Sequence, residues 1–467
     1  MLCMGEISPQ LADNEAWVDQ TFEKCDDILH RQVYLGQGRQ EGLLVYVEVA
    51  VSNLMLEEHV IGLSDVQPLK SYEEGKAALL AGNGLLFLDG DTNCYKISSK
   101  GYPGMGISQA ETEKVLRGSK EGFSDSVKSN TALVRKRLRD TRLKVEEYYV
   151  GVRSHTLVQV LYMDDLVHEE LLTEVKERLE KFEIDGILDS GMLEQLTEDT
   201  WYSPFPQYQT TERPDRTVQE ILNGKVAVLC DNSPEALILP GNFNSFMESS
   251  EDWYHRFEMA SFLLLLRYLA VLMTTVLPGL YLAVIRFHTQ VLPTNLILSF
   301  AEAREGVPFS SVVELIFLEL SFELIREAGV RIPGSLGNAI GIVGGLVIGQ
   351  AAVEANLVSP IVVMIVALTE LGSLVVPSEE FASAFRLLKY GFLILGGYLG
   401  IYGMALGAYV TVGHLAGLLS FGVPYLGVAN GDGVWRLPFR MRKMRPLYAR
   451  KEQRIRLKER NRKEKSQ

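Results

Sequence analysis

Hydrophobic positions divide the chain into a mixed N-terminal half and a strongly apolar C-terminal half. From Gly42 the run LLVYVEVAV is typical of a buried strand, and LLFLDGDTNCYKI at Leu85–Ile97 indicates two short strands around an Asp-Gly turn. A similar order of strand, helices and hairpin returns within 156–239. These patterns predict two small α/β subdomains over 41–120 and 146–250, with an internal duplication left open.

Two polar segments flank the first predicted subdomain. Residues 1–40 carry a helical pattern around Trp17–Arg31 and no pattern specific to chemistry. Residues 121–145 predict a basic linker helix, which we expect to contact a partner, a neighbouring subunit or lipid headgroups. Nucleic acid is not expected there, because the surrounding domain is acidic and no aromatic residue interleaves the charges. The candidate cytoplasmic contact residues are Arg135, Lys136, Arg137 and Arg139.

Apolar segments predict an all-α polytopic membrane domain over 256–421. Met259–Phe287 is long enough to cross about 30 Å of hydrocarbon, and four further apolar or amphipathic helices follow it. They lie within Phe309–Gly329, Gly334–Pro360, Ser359–Val376 and Phe385–Phe421. A basic cytoplasmic tail is expected over 422–467. The predicted fold is therefore an α+β soluble region followed by membrane helices.

Regularly spaced glycines mark two of the apolar segments. In the segment Gly334–Pro360 the glycines recur every four residues and would share one face of a helix. A smooth ridge of this kind lets a neighbouring helix approach closely in lipid. The predicted packing residues are Gly337, Gly341, Gly345 and Gly349. The last apolar run repeats the device at three- and four-residue steps, with Gly396, Gly400, Gly403 and Gly407.

Three carboxylates in one apolar helix form the best candidate site of the chain. Glu314, Glu319 and Glu323 follow one another at spacings of five and four. A charge in a spanning helix costs about 2.5–3.5 kcal/mol on insertion scales, so these acids should face a bundle interior or water. In a closed oligomer each would form a ring of like charge that selects cations, with the largest effect expected for Glu319. The alternative is an amphipathic helix lying at the membrane surface with its acids in water.

The charge distribution predicts which side of a membrane the ends occupy. Residues 436–467 hold 14 Lys and Arg against 3 acids, a net of +11, and the total of −13 leaves −24 for the rest. We expect this tail to lie on an anionic cytoplasmic leaflet together with the N-terminal half, which requires an even number of crossings. Five hydrophobic helices are visible, so either one does not span or the long last run counts twice. The acidic helix is the natural choice of a helix that does not span.

Sequence patterns give no support for an enzyme. The cysteines Cys3, Cys25, Cys94 and Cys230 form no CxxC pair and are expected to be free thiols in a reducing compartment. No cofactor, metal or nucleophile motif is recognised, and aspartates such as Asp89 occupy turn positions where Asp is common. No catalytic residue, cofactor or metal is therefore predicted.

Several stretches resemble one known family. GFSDSVKSNTALVRKRLRD (Gly122–Asp140), DGILDSGMLEQL (Asp185–Leu196), SPFPQYQTTERPD (Ser203–Asp215) and SFGVPYL (Ser420–Leu426) accompany a longer match at Ser321–Pro360. As a set they resemble the A subunits of GerA-type spore germinant receptors. The similarity covers roughly 111–426 and weakens in residues 1–110, where VEVAVSN replaces a Gly-Leu-Val-Asp type of turn, and in the tail.

The resemblance implies a multi-pass protein of the inner membrane of bacterial endospores. Such subunits act with a second polytopic subunit, which resembles amino-acid transporters, and with a lipoprotein subunit; they sense nutrients, are thought to oligomerise as the conducting element, and trigger germination. A related class, encoded with the dipicolinic-acid channel proteins, shares the same signature and remains an alternative. A second alternative is a single-chain secondary transporter, although no inverted repeat is visible in the hydropathy.

Overall fold

The N-terminal half contains two five-stranded sheets and the C-terminal half is helical, as the sequence predicts. A computed structural model describes residues 6–35, 40–51, 66–99, 109–330 and 347–426. The first sheet comprises β1 Ile28–Leu35, β2 Gln40–Val47, β3 Val66–Leu69, β4 Gly84–Leu88 and β5 Cys94–Ile97. The second comprises β6 Leu143–Val150, β7 Thr156–Met163, β8 Gln209–Thr211, β9 Val226–Cys230 and β10 Ala236–Leu239.

The two sheets share one topology. The strand orders are β1-β2-β4-β5-β3 and β6-β7-β9-β10-β8, so the second order is the first shifted by five. All paired strands of the two sheets are antiparallel. Matching order in consecutive segments is the arrangement that a duplication produces. The first sheet begins at Ile28, within the segment 1–40 that the hydropathy pattern separates from the subdomain.

Helices of the soluble region pack their apolar faces against these sheets. In helix α4, Glu169–Lys181, buried Leu171, Val175 and Leu179 recur every four residues and join the core of the second sheet. In the first subdomain, buried Val18 of helix α1, Leu11–Thr21, joins the core of the first sheet. The seven helices described here are α1 Leu11–Thr21, α2 Tyr72–Leu80, α3 Val127–Arg137, α4 Glu169–Lys181, α5 Ser190–Thr197, α6 Pro214–Leu222 and α7 Phe243–Phe246.

The described part of the C-terminal half is mainly helical. Its labelled helices are α8 Phe257–Phe287, α9 Thr294–Glu302, α10 Ser311–Val330, α11 Pro360–Leu374 and α12 Glu379–Gly417. Residues 347–354 are also helical and carry no label. Among the described residues, two helices are long and apolar enough to cross a membrane, namely Glu258–Phe287 and Glu379–Gly417. The sequence predicted five hydrophobic helices. Helix α10 is not among the two candidate spans because it carries several charges, and α11 is not because it has only 15 residues.

The long last run, α12, is a helical hairpin. Gly400 interrupts it with φ 63° and ψ −142°, a conformation that favours glycine. Phe381 and Leu415 pack in the same cluster, although a straight helix would separate them by about 51 Å. A Cβ at Gly403 would overlap the Leu395 carbonyl of the other leg. The structure therefore favours the alternative in which this run supplies two segments.

Helix α8 packs tightly against the hairpin through glycines. A Cβ on Gly396 would collide with the Gly279 carbonyl, and a Cβ on Gly279 would collide with the Phe392 carbonyl. At the end of α8, Phe287 and the following His288 lie against Gly400 at the hairpin turn. Close backbone approach in the last apolar run is what the glycine spacing predicts.

Candidate functional site

Three of the four acids of α10, Glu314, Glu319 and Glu323, face the interior of the helical bundle, and the fourth, Glu327, is exposed. Glu314 and Glu319 are fully buried, and the side chain of Glu323 is 39% exposed. Apolar residues such as Phe317 and Leu320 occupy the exposed face of the same helix. The cost of a charge in hydrocarbon accounts for this orientation, and each of the three inward-facing acids meets a basic partner within the same chain.

Lys389, in the first leg of the hairpin, connects three helices. It is fully buried, and its Nζ donates to Glu319 of α10 and, at 2.9 Å, to Glu370 Oε1 of α11. Glu319 Oε1 has no hydrogen-bond partner among the described residues. Lys389 precedes Gly400 by 11 residues, which places it about 16 Å along the leg from the hairpin turn.

Two arginines complete the network around Lys389. Arg326 of α10 donates to Glu323 Oε2 at 3.0 Å, to Glu370, and to Ser373 Oγ at 3.2 Å. Arg386 Nε lies 3.7 Å from Glu323 Oε1. We call the following six side chains, three acids and three bases, the membrane ion cluster: Glu319, Glu323, Glu370, Arg326, Arg386 and Lys389. It joins α10, α11 and α12, and Arg386 Nη2 also donates to Oε1 of the exposed Glu379 at 2.9 Å.

Glu314 occupies a separate site at the start of α11. Its carboxylate accepts from Arg304 Nη2 at 3.1 Å and from the backbone N–H of Ser359 at 2.8 Å. Ser359 is the N-cap residue of α11, so an acid from another helix supplies the negative charge that a helix N-terminus favours. Because Glu314 meets the beginning of α11 and Arg326 meets Glu370 near its end, α10 runs alongside α11.

The two alternatives for the acidic helix, a spanning helix and a helix at the membrane surface, both stay predictions. Helix α10 follows α11 along its length, and the 15-residue α11 is itself shorter than the described helices that could span. Two of the bases that compensate its acids, Lys389 and Arg386, come from the first hairpin leg and are distant in sequence. The prediction that Glu314, Glu319 and Glu323 line a pore stays a prediction.

The predicted glycine ridge lies mostly outside the described residues. Gly337, Gly341 and Gly345 belong to that undescribed part of the chain. Gly349 is described, and a Cβ at this position would lie 3.2 Å from Val363 Cγ1 of α11. The ridge therefore remains a prediction, with close packing seen at its last member.

Three of the basic residues predicted to contact a partner are engaged within the chain. Arg135 is buried and donates from Nε and Nη2 to the two carboxylate oxygens of Asp27, each at 2.7 Å, which joins α3 to the segment before β1. Lys136 and Arg137 both pair with Glu121. Arg139 is exposed, and the predicted contact stays a prediction there.

An aromatic cluster that the sequence did not reveal joins the soluble region to both hairpin legs. Phe205 packs on Phe385 of the first leg, with ring centroids 5.2 Å apart, and on His414 of the second at 6.0 Å. Ser203 Oγ and His414 Nε2 are hydrogen-bonded at 2.9 Å. The motif containing Phe205 was visible in the sequence, but nothing in it indicates what the ring contacts.

The segment after the hairpin returns into the soluble region. Phe421 lies in the core of the second sheet, with Arg178 4.2 Å from the centre of its ring. Its backbone N–H donates to Asp199 Oδ2 at 2.7 Å. Ser420 Oγ donates to the Gln207 carbonyl at 2.7 Å. The hairpin is thus anchored in the soluble region at its exit as well as at its entry.

Desolvated carboxylates lie beside this junction. Burial raises the pKa of Glu194 to about 9, and the nearby carboxylates of Glu380, Glu198 and Glu235 add to the rise. Burial likewise raises the pKa of Glu198 and of Glu235 to about 7. Because of these raised pKa values, the carboxyl groups of Glu194, Glu198 and Glu235 hold protons near neutral pH. Among the described residues no group of His, Cys, Asp and Glu has the arrangement of a metal site.

Comparison with known proteins identifies relatives over most of the chain. The family Bacillus/Clostridium GerA spore germination protein matches residues 56–448. Uncharacterized membrane protein YfkQ of Bacillus subtilis (strain 168) is 38% identical over 442 residues, which cover 90% of this chain and 86% of the relative. Spore germination protein KA of the same organism is 36% identical over 481 residues, covering 96% and 88%.

One solved structure aligns with part of the chain. The crystal structure of the N-terminal domain of the A subunit of the Bacillus megaterium spore germinant receptor GerK3 aligns with 52% of this chain and 98% of its own length. The TM-score is 0.41 and the sequence identity is 24%.

Proposed function

This chain belongs to the GerA family of spore germination proteins, and on that premise we propose that it is a membrane subunit of a nutrient-sensing spore germinant receptor. The observation that carries the proposal is the extent of the family match, which runs over residues 56–448 and so includes both the soluble region and the membrane helices. The physical connection between these parts supports it. Phe205 and Phe421 join the soluble region to the hairpin, which provides packed contacts through which a change in one part would reach the other.

The finer proposal is that the subunit oligomerises in the spore inner membrane and signals or conducts ions. Its N-terminal half and basic tail would face the cytoplasm. The hairpin supports this arrangement, because both of its legs meet the soluble region at Phe205 on one side. The other members of the receptor would be a second polytopic subunit and a lipoprotein subunit.

Spore germination assays test the receptor role. A strain that lacks this chain should fail to germinate on its nutrient while still responding to triggers that bypass nutrient receptors. An accessory protein of the dipicolinic-acid channel would instead impair ion and dipicolinic-acid release after every trigger. The second outcome would contradict the receptor role and keep the family assignment.

Purified protein in lipid tests the conducting role. A symmetric oligomer with ion flux supports a channel, and a non-conducting monomer supports the transporter alternative. Among the three acids predicted to line a pore, Glu314, Glu319 and Glu323, only Glu323 keeps a substantial part of its side chain exposed within one chain. We therefore expect Glu323→Gln to lower cation preference most, rather than Glu319→Gln. An unchanged reversal potential for Glu323→Gln in a conducting bilayer would remove this acid from the permeation path.

A further inference from the structure

An acidic surface covers the outer side of α4. The segment 164–189, which contains this helix, holds 10 acids against 3 bases, a net of −7. Glu177 and Glu180 lie on the side of the helix opposite its buried residues, and both are exposed, as is Glu183 just after the helix. In the part of the chain that the structure describes, no base pairs with any of these three acids. Their charge is therefore uncompensated.

Exposed apolar side chains lie next to these acids, on α5. Met192 and Leu196 are four residues apart on one face of this helix and are 36% and 42% exposed, and Leu188, just before the helix, is 72% exposed. The two helices are neighbours, because Arg178 Nη1 of α4 donates at 2.7 Å to the carbonyl of Thr197, the last residue of α5. We call the following side chains the α4–α5 face: Glu177, Glu180, Glu183, Leu188, Met192 and Leu196.

The described chain ends beside this face. Phe421, after the hairpin, lies under the Arg178 guanidinium of α4, and its N–H is bonded to Asp199, two residues past α5. The last described residue, Leu426, follows five residues later. The basic tail begins at Arg436, and ten residues span at most about 35 Å. Because α4 is only about 20 Å long, the tail can reach the whole face.

The tail has the complementary chemistry. Residues 436–467 carry a net charge of +11, and RLPFRMRKMRPLY at Arg436–Tyr448 mixes bases with apolar and aromatic side chains. Opposite charges select the partner, and apolar contacts between the same surfaces add to the binding. The short connection also keeps the tail at a high effective concentration near the face, so weak contacts suffice. The same face of a second copy is a poor partner, because two surfaces of −7 repel each other.

We infer that the basic tail of this chain docks on the α4–α5 face of its own soluble region. Its arginines would lie against the exposed acids and its apolar side chains against Leu188, Met192 and Leu196. The inference goes beyond the proposed receptor role and does not depend on which helices cross a membrane. A docked tail would hold α4 and α5 together over Phe421, which anchors the exit of the hairpin in the soluble region. The anionic leaflet is the competing partner of the tail.

Site-specific photo-cross-linking tests the inference. The photoreactive residue p-benzoylphenylalanine is placed at Leu196 in the full chain, which is reconstituted into vesicles of phosphatidylcholine with or without phosphatidylglycerol. After illumination, mass spectrometry of a digest should find the adduct within residues 436–467 in both lipids, in protein that migrates as a monomer. The control position is Tyr34 of β1, which is 63% exposed and belongs to the first sheet. It should give no adduct with the tail.

Charge reversal tests the attraction. Glu177→Lys/Glu180→Lys should lower the yield of the Leu196 adduct about fivefold, because two exposed acids become like charges for the tail. Salt at 1 M, where the screening length is about 3 Å, should lower the yield as well. The matched control is Glu23→Lys/Glu41→Lys, which changes the total charge equally at exposed positions of the first subdomain. It should leave the yield unchanged.

Three results would overturn the inference. An adduct that forms in phosphatidylcholine and is lost when phosphatidylglycerol is added assigns the tail to anionic lipid. An adduct found only in cross-linked dimers assigns the tail to a neighbouring copy. Equal tail adducts from Leu196 and Tyr34 show that the tail has no preferred site on the soluble region.

Limited proteolysis repeats the test without an unnatural side chain. Chymotrypsin cleaves after aromatic residues such as Tyr448 in the tail, and docking should slow this cleavage in the full chain. Loss of the tail should be about fivefold faster in Glu177→Lys/Glu180→Lys than in the wild type, and Glu23→Lys/Glu41→Lys should match the wild type. Equal rates in all three proteins would refute docking on the α4–α5 face.

Discussion

Removal of Lys389 should open the packing of α10, α11 and the hairpin. The membrane ion cluster contains three acids and three bases, so Lys389→Met leaves three acids against two bases. Glu319 would keep a buried charge without a partner, since Lys389 is its one basic contact in the described structure. Breaking a buried ion pair from one side costs about 3–5 kcal/mol.

A second substitution should recover much of that loss. Lys389→Met together with Glu319→Gln leaves two acids, Glu323 and Glu370, against two bases, Arg326 and Arg386. No carboxylate is then left buried beside the missing Lys389 Nζ at position 319, and the coupling between the two substitutions should be about 2–3 kcal/mol. Arg153→Met is the matched control: Arg153 pairs with Asp185 in the soluble region and is 81% exposed, so its loss should cost under about 1 kcal/mol.

Thiol labelling measures the opening locally. Val366 of α11 is fully buried, and Val366→Cys in a background without the native cysteines becomes reactive when α11 separates from its neighbours. A loss of 3–5 kcal/mol raises the open population by roughly 10²- to several 10³-fold, and the labelling rate should rise with it under conditions of fast closing. The double variant should label much closer to the parent rate. Equal labelling in the parent and in Lys389→Met would refute the role of Lys389 in holding the three helices.

Three further predictions concern other parts of the structure. Gly396→Leu should separate α8 from the hairpin and expose the bundle to protease, whereas Gly391→Leu, at a position with open space, should be tolerated. Arg135→Met should lower the free energy of unfolding by about 3–5 kcal/mol in a denaturant titration, because it leaves the buried Asp27 carboxylate without its partner. The double variant Asp27→Asn/Arg135→Met removes that charge as well and should lose less. The melting temperature should fall as pH rises from 6 to 9. In the native state the pKa of Glu194 is raised to about 9 and those of Glu198 and Glu235 to about 7. The native state therefore holds protons that the unfolded state has released, and it loses this stabilisation as the pH rises. Glu194→Gln should flatten that profile, and an equal slope in the variant would exclude Glu194 as a source.

Sequence patterns located the secondary structure where one physical rule dominates. The run LLVYVEVAV is apolar enough to require burial, and its first residues form β2. The inward orientation of Glu314 and Glu319 also follows from the cost of a charge in hydrocarbon. Strand β1, at Ile28–Leu35, was missed because the polar run His30–Gln32 interrupts its apolar residues, and most of the strand is half-buried or exposed.

The remaining features depend on contacts that hydropathy cannot register. The run containing Gly400 is apolar on both sides of the turn, so its composition does not distinguish one long helix from a hairpin. Lys389 and Glu319 lie 70 residues apart, and nothing in either local sequence indicates their pairing. The same limit applies to Phe205, whose contacts belong to two hairpin legs that are far from it along the chain.

The positions of Phe385 and Lys389 provide a route between the soluble region and the membrane ion cluster. Phe385 contacts Phe205 of the soluble region, and Lys389 lies about one turn, or 6 Å, further along the same leg. A helix is stiff over one turn, so a displacement of Phe205 that moves Phe385 also moves Lys389. Its bonds to Glu319 and Glu370 must then stretch or bring α10 and α11 with them. The buried bonds of Lys389 to Glu319 and Glu370 therefore make the arrangement of these helices sensitive to the soluble region.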